Sequence, residues 1–112
     1  MKINTRTIGD VQILDCSGQI TLGEATRAVR STVRDVVSSG GEKIILNLAD
    51  VDYIDSAGVG ELVSAYTNVT NNGGQLKLLN LTNKIHKLLS ITKLLTVFDV
   101  FDNEKAALGS FK

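Results

Sequence analysis

Lys43-Ile44-Ile45-Leu46-Asn47-Leu48 is an almost unbroken apolar run, and Asp55-Ser56-Ala57-Gly58-Val59-Gly60 follows it closely in the chain. The first run is typical of a β-strand that is central in its sheet or covered by helices on both faces. The second run opens a stretch, residues 57–72, in which apolar residues recur at helical spacing. The members of that stripe are Val59, Leu62, Val63, Tyr66 and Val69. The two runs therefore predict a strand followed by a helix, with the hydroxyl of Ser56 at the turn.

Strands and helices are predicted to alternate along the rest of the chain. Runs with strand character cover residues 2–8, 11–16, 75–79 and 97–101. Gly9-Asp10, between the first two of these runs, is a two-residue connection typical of a tight hairpin. The order ββαβαβαβα predicts a single α/β domain over residues 1–112. In it, an N-terminal β-hairpin joins a mixed, mostly parallel sheet with helices.

Three of the predicted helices have a candidate capping residue at a clear position. Thr21-Leu22-Gly23-Glu24 matches the capping-box pattern, so Thr21 is expected to cap the first helix. Thr82 is expected to cap the third helix, and Asp102 the last one, residues 103–108. These positions predict where the loops end and the helices begin.

The composition of the chain argues against several classes of function. The 112 residues are 43% apolar and 21% charged, as in an ordinary globular domain. Twelve basic residues balance twelve acidic ones, so no nucleic-acid or membrane partner is expected. The chain has no apolar run that could span a bilayer, and its start lacks the apolar core of a signal peptide. The single cysteine, Cys16, is expected to be buried and inert, and the protein to be cytoplasmic.

The hydroxyl of Ser56 can cap a helix, attack an acyl group or accept a phosphoryl group. Acyl transfer is disfavoured because Ile54 replaces the first glycine of the G-x-S-x-G pattern, and because the only histidine, His86, is expected to be exposed. Nucleotide binding is disfavoured because Val63 stands where a dinucleotide-binding loop has its third glycine. We therefore expect no enzyme activity, no catalytic residue, no cofactor and no metal.

Helix capping is the simplest structural interpretation of Ser56. Its hydroxyl would accept a hydrogen bond from an early helical N–H, an interaction worth about 1 kcal/mol. Asp55 is the alternative cap, and in that case Ser56 occupies the first helical position. Gly58 and Gly60 are expected where the backbone approaches a neighbour closely.

The run Val51-Asp52-Tyr53-Ile54-Asp55-Ser56-Ala57-Gly58-Val59-Gly60 resembles the signature of the STAS family, particularly of bacterial anti-sigma factor antagonists. That group shows an apolar residue, Asp, Ser, a small residue, Gly, an apolar residue and Gly at this turn. The likeness covers nearly the whole chain, including the hairpin and the runs at residues 73–78 and 94–98. It departs at Gly18-Gln19-Ile20-Thr21, where many relatives have Gly-Glu-apolar-Asp. Gln19 and Thr21 thus replace two carboxylates.

The resemblance implies a binding module controlled by phosphorylation. In this family the unphosphorylated protein binds a partner that is both anti-sigma factor and serine kinase, and thereby frees the sigma factor. Phosphorylation of the serine, here Ser56, abolishes binding, and a PP2C-type phosphatase restores it. The partner-binding residues implied around the switch are Asp55, Ala57, Gly58, Gly60, Gln19 and Thr21. The alternative is a STAS accessory or scaffold module that regulates a transporter or a signalling assembly. In either case we expect a monomer, or at most a weak dimer.

Overall fold

The structure, a computed structural model, describes residues 1–111 and contains five strands and four helices in that range. They are β1 Lys2–Ile8, β2 Val11–Ile20, α1 Glu24–Ser38, β3 Lys43–Ile54, α2 Ser56–Asn71, β4 Gln75–Leu79, α3 Asn83–Ile91, β5 Asp99–Phe101 and α4 Glu104–Gly109. The predicted order ββαβαβαβα and the α/β fold class are confirmed. Within residues 1–111, none of the helices combines the length and apolar character needed to cross a membrane.

The five strands form one mixed sheet in the order β1-β2-β3-β4-β5. β1 and β2 form the predicted antiparallel hairpin, and every later pair is parallel. β5 pairs with β4 over three residues only, so the strand predicted at 97–101 begins two residues later than expected. Because β2 and β3 are parallel neighbours, the loops that follow them meet at the same edge of the sheet. This edge carries the candidate site.

The apolar run at the start of β3 places side chains on both faces of the sheet. Ile44 and Leu46 belong to the larger core, which is packed by α1, α2 and α3. Ile45 belongs to a smaller core on the other face, together with Ala107 of α4. Both alternatives predicted for this strand are therefore observed, since it is the middle strand of the sheet and helices cover its two faces.

Both β2 and β3 are longer than the sequence predicts. They continue to pair through Gln19 opposite Tyr53 and Ile20 opposite Ile54, after two shifts of register. In the second half of β3 only Val51 and Ile54 are buried, and the positions between and before them are exposed. At each shift β3 contains one residue more than β2, and a strand that is mostly polar and interrupted in this way lacks the continuous apolar pattern used to find it.

The prediction that Thr21 caps α1 is wrong. The residue directly before the helix is Gly23, whose φ of 115° favours glycine. The hydroxyl of Thr26 accepts a hydrogen bond from the Gly23 N–H at 3.2 Å and so closes the first turn. Thr21 lies too early because β2 ends at Ile20 and the chain needs a three-residue loop before the helix can begin.

The other two predicted caps differ in outcome. Thr82 caps α3 as predicted, and its hydroxyl accepts from the Ile85 N–H at 3.4 Å. At α4 the cap is Asn103, which accepts from the Ala106 N–H at 3.0 Å, so the prediction of Asp102 is wrong by one residue. Both side chains are good capping groups, so sequence alone does not choose between neighbours.

Candidate functional site

The candidate site lies where β3 passes into α2. Asp55 separates the strand from the helix, with extended backbone angles, and is the N-cap residue. Its Oδ1 accepts a hydrogen bond from the Gly58 N–H at 2.8 Å. The expectation that Ser56 caps the helix is therefore wrong, and the alternative cap, Asp55, is the one observed. Ser56 is the first helical residue and is exposed, so its hydroxyl lies outside the cap.

The second oxygen of Asp55 fastens a neighbouring loop. Oδ2 accepts a hydrogen bond from the Leu22 N–H at 3.0 Å, and the Asp55 N–H donates to the Ile20 carbonyl at 3.3 Å. The hydrogen bonds from the Leu22 and Gly58 backbone N–H groups lower the pKa of Asp55 below its usual value. Asp55 thus remains ionised beside Ser56 and joins the β2–α1 loop to the start of α2.

The two glycines of the signature have different environments. Gly58 is buried, and a Cβ there would collide with the Ile20 carbonyl oxygen and lie 2.5 Å from Ile54 Cγ1. The predicted close approach is confirmed for Gly58, but its neighbour is the end of β2, so it is not available as a direct partner contact. Gly60 is exposed, and a Cβ there would meet no atom within 4 Å. For Gly60, the prediction that the backbone approaches a neighbour within this chain is therefore wrong.

The remaining predicted site residues lie around the same edge of the sheet. Gln19 is exposed near the end of β2, and Thr21 is half-buried in the β2–α1 loop. Ala57 is half-buried in the first turn of α2. Leu22, which the sequence analysis did not single out, is 79% exposed on the loop that Asp55 holds. The sequence contains one signal for this exposure: Leu22 lies between Thr21 and Gly23, outside any helical or strand pattern that would bury it.

Ser56 also lines a groove between the start of α2 and helix α3. The groove encloses about 630 Å³, and most of its wall is apolar. Tyr53, which is 44% exposed, Val59, Leu88 and Ile91 form that apolar wall. The sequence does not predict the α3 side of this groove, because the groove exists only where α3 packs beside the start of α2.

The single cysteine and the single histidine are placed as the sequence predicts. Cys16 is buried, and desolvation raises the pKa of its thiol to about 12, so the thiol stays protonated. His86 is exposed on α3. Across residues 1–111, histidine, cysteine and carboxylate side chains form no group that could hold a metal ion.

The fold defines a small α/β protein with a mixed five-stranded sheet and a strand-to-helix junction that displays a serine. The model of the STAS domain family matches residues 2–107, and the chain belongs to this family. It is 33% identical over 91 residues to the anti-sigma-B factor antagonist of Bacillus subtilis, and the alignment covers 81% of each protein. The family predicted from the signature at residues 51–60 is thus confirmed.

Two further comparisons extend this result. The chain is 30% identical over 67 residues to the anti-sigma F factor antagonist of Paenibacillus polymyxa, an alignment that spans 60% of this chain and 57% of that protein. Its fold is similar to that of the phosphorylated form of SpoIIAA, a Bacillus cell fate determinant, with a TM-score of 0.75 at 18% identity. That superposition covers 96% of this chain and 97% of SpoIIAA.

Proposed function

We propose that this protein is an anti-sigma factor antagonist whose binding is controlled by phosphorylation of Ser56. The unphosphorylated form binds an anti-sigma factor that is also a serine kinase, and the sigma factor is released. Phosphorylation by that kinase ends the complex, and a PP2C-type phosphatase restores it. The observation that carries the proposal is the exposed Ser56 hydroxyl at the first position of α2, free of the capping role that Asp55 performs.

The relationship to the Bacillus subtilis protein supports the proposal, because its alignment covers most of both chains. The surface around Ser56 is also suited to contact with another protein. Leu22 and Tyr53 expose apolar area on the same edge of the sheet, and Gly60 leaves the helix backbone open. We place Asp55, Ala57, Gln19 and Thr21 at the border of this contact surface. Gly58 acts on it indirectly, through the packing of α2.

A phosphate on Ser56 would act at the interface more than on the fold. It adds a charge of about −1.5 to −2 at neutral pH. The start of α2 favours that charge by about 0.3–1 kcal/mol, whereas the ionised carboxylate of Asp55 opposes it. Burying an unpaired charge in a protein interface costs about 2–5 kcal/mol. Binding should therefore weaken about thirtyfold to several thousandfold without a global conformational change.

Phosphate incorporation tests this proposal. The protein is incubated with ATP and each anti-sigma-type serine kinase of its source organism, and the added mass and its position are read by mass spectrometry. The expected result is one phosphate on Ser56, absent in Ser56→Ala. Ser64→Ala is the matched control, since Ser64 is exposed on the same helix, and it should be phosphorylated like the parent. If none of these kinases phosphorylates the parent or Ser64→Ala, the alternative of an accessory or scaffold module is favoured.

A further inference from the structure

Helix α3 presents a stripe of side chains to the groove beside Ser56. Lys87 and Leu88 follow Lys84 by three and four residues, and Ile91 follows them by four and three, so all four lie on one side of the helix. Ile85 and Leu89, on the adjacent face, are fully buried in the core. Of the stripe, Leu88 is half-buried and packs partly against the core, whereas Lys84, Lys87 and Ile91 are exposed. Ile91 is 69% exposed, which is a large unburied area for an isoleucine beside an apolar wall.

The charges along this stripe have one sign. Lys84 and Lys87 are exposed, and within residues 1–111 neither forms an ion pair. Residues 83–93 contain no acidic side chain. On the opposite wall, the carboxylate of Asp55 is already engaged by two backbone N–H groups. The groove thus combines an apolar wall with two lysines that form no ion pair among the described residues and outnumber the single carboxylate, that of Asp55, in the lining.

We propose that this groove docks a segment of the partner kinase in which an apolar side chain is flanked by carboxylates. This proposal rests on the proposed function and adds the chemistry by which the partner is recognised. The apolar side chain packs between Tyr53, Val59 and Ile91, and the carboxylates pair with Lys84 and Lys87. Ser56 lines the same groove, so the docked segment lies beside the hydroxyl to be phosphorylated.

The exposure of the walls favours a protein segment over a small ligand. Small-molecule sites bury most of the surface of their ligand. Here Tyr53 is 44% exposed and Ile91 69% exposed, so the groove remains open along its length. A second copy of the chain is disfavoured as the occupant. In a symmetric contact it would bring its own α3, with Lys84 and Lys87, against the same two lysines. Like charges at such a contact oppose association.

Binding of the kinase identified by phosphorylation of Ser56 tests the proposal. Its Kd is measured by isothermal titration calorimetry with the parent, with the double variant Lys84→Glu/Lys87→Glu and with Ile91→Ser. Lys105→Glu on α4 and Ile8→Ser in the hairpin are matched controls, since both residues are exposed and lie outside the groove. We expect each groove variant to raise Kd about tenfold or more, and the controls to stay within about twofold of the parent.

The outcomes separate this proposal from the function on which it rests. If the groove variants bind like the parent while Ser56→Asp binds weakly, the docking proposal is wrong and the switch stands. If the parent binds no such kinase, the proposed function fails and the docking proposal with it. Sedimentation of the protein alone tests whether a second copy of the chain occupies the groove. If the protein self-associates, if Ile91→Ser abolishes this association and if kinase binding is unchanged, the groove belongs to a second copy and the proposal is overturned.

Discussion

The carboxylate of Asp55 accepts a hydrogen bond from the Leu22 N–H at 3.0 Å, across two loops that are far apart in the chain. The same side chain caps α2 through the Gly58 N–H. One residue thus fixes the position of the exposed Leu22 relative to the exposed Ser56. The aspartate of the signature has a structural role that accounts for its place directly before the serine.

Replacing Asp55 with Ala should therefore loosen both loops. We expect the melting temperature to fall by about 3–6 °C, since the cap is lost and a loop tether with it. Hydrogen exchange of the Leu22 amide should become faster, because its acceptor is removed. Asp52→Ala is the control, as Asp52 is exposed on β3 and should leave both measurements near the parent values. An unchanged Leu22 exchange rate in Asp55→Ala would contradict the bridging role.

The stabilising effect of Asp55 should depend on pH in a defined direction. Its pKa is lower in the folded protein than the ordinary value of 3.8, so its contribution is fully present above pH 3.8. That contribution is lost as the pH falls through the lower, folded pKa. The stability difference between the parent and Asp55→Asn in urea unfolding should therefore be constant at neutral pH and shrink below pH 3.8. A difference that grows on acidification would contradict the assignment.

The two glycines of the signature should respond oppositely to alanine. In Gly58→Ala the new Cβ meets the Ile20 carbonyl, and we expect a loss of about 1–3 kcal/mol in the free energy of unfolding. In Gly60→Ala the Cβ enters open space on a helix, which should stabilise the protein by about 0.5–1 kcal/mol. Urea denaturation of both variants measures the difference. Equal effects of the same sign would be inconsistent with the two environments described.

The ion pair between α1 and α2 should be sensitive to the loss of its cation. Glu61 is only 4% exposed, and its Oε1 accepts from Arg30 at 2.7 Å, whereas the Arg30 side chain is 50% exposed. Arg30→Met leaves the carboxylate buried without its partner, and we expect a loss of about 1–3 kcal/mol. Arg27→Met, at an exposed position of the same helix, should change the free energy of unfolding by less than about 0.5 kcal/mol. Adding Glu61→Leu to Arg30→Met should recover part of the loss, and a further decrease would count against this explanation.

Much of the fold is predictable because the chain has strong local signals. Turns rich in glycine and polar residues separate the strands and helices, and the apolar run of β3 indicates the centre of the sheet. The second half of β3 is not predictable in this way, since its polar face resembles a loop and its pairing with β2 is irregular. Register shifts between strands distant in sequence leave no local pattern.

The candidate site is predictable in its location but not in the roles of its residues. The signature places Ser56 at a strand-to-helix turn, yet Asp55 and Ser56 are both good capping residues. The choice between them depends on the Leu22 N–H, which a distant loop brings to Asp55. Likewise, the exposed stripe of Lys84 and Lys87 on α3 becomes part of the site only when the sheet places α3 beside the start of α2.

The central claim is that a phosphate on Ser56 prevents partner binding without disturbing the fold. The most direct measurement compares the Kd of the kinase for the unmodified protein and for protein carrying phosphoserine at position 56, prepared by site-specific incorporation. We predict that the phosphorylated form binds about thirtyfold to several thousandfold more weakly. Its melting temperature should remain near that of the unmodified protein. Equal affinity of the two forms for a kinase that phosphorylates Ser56 would contradict the account.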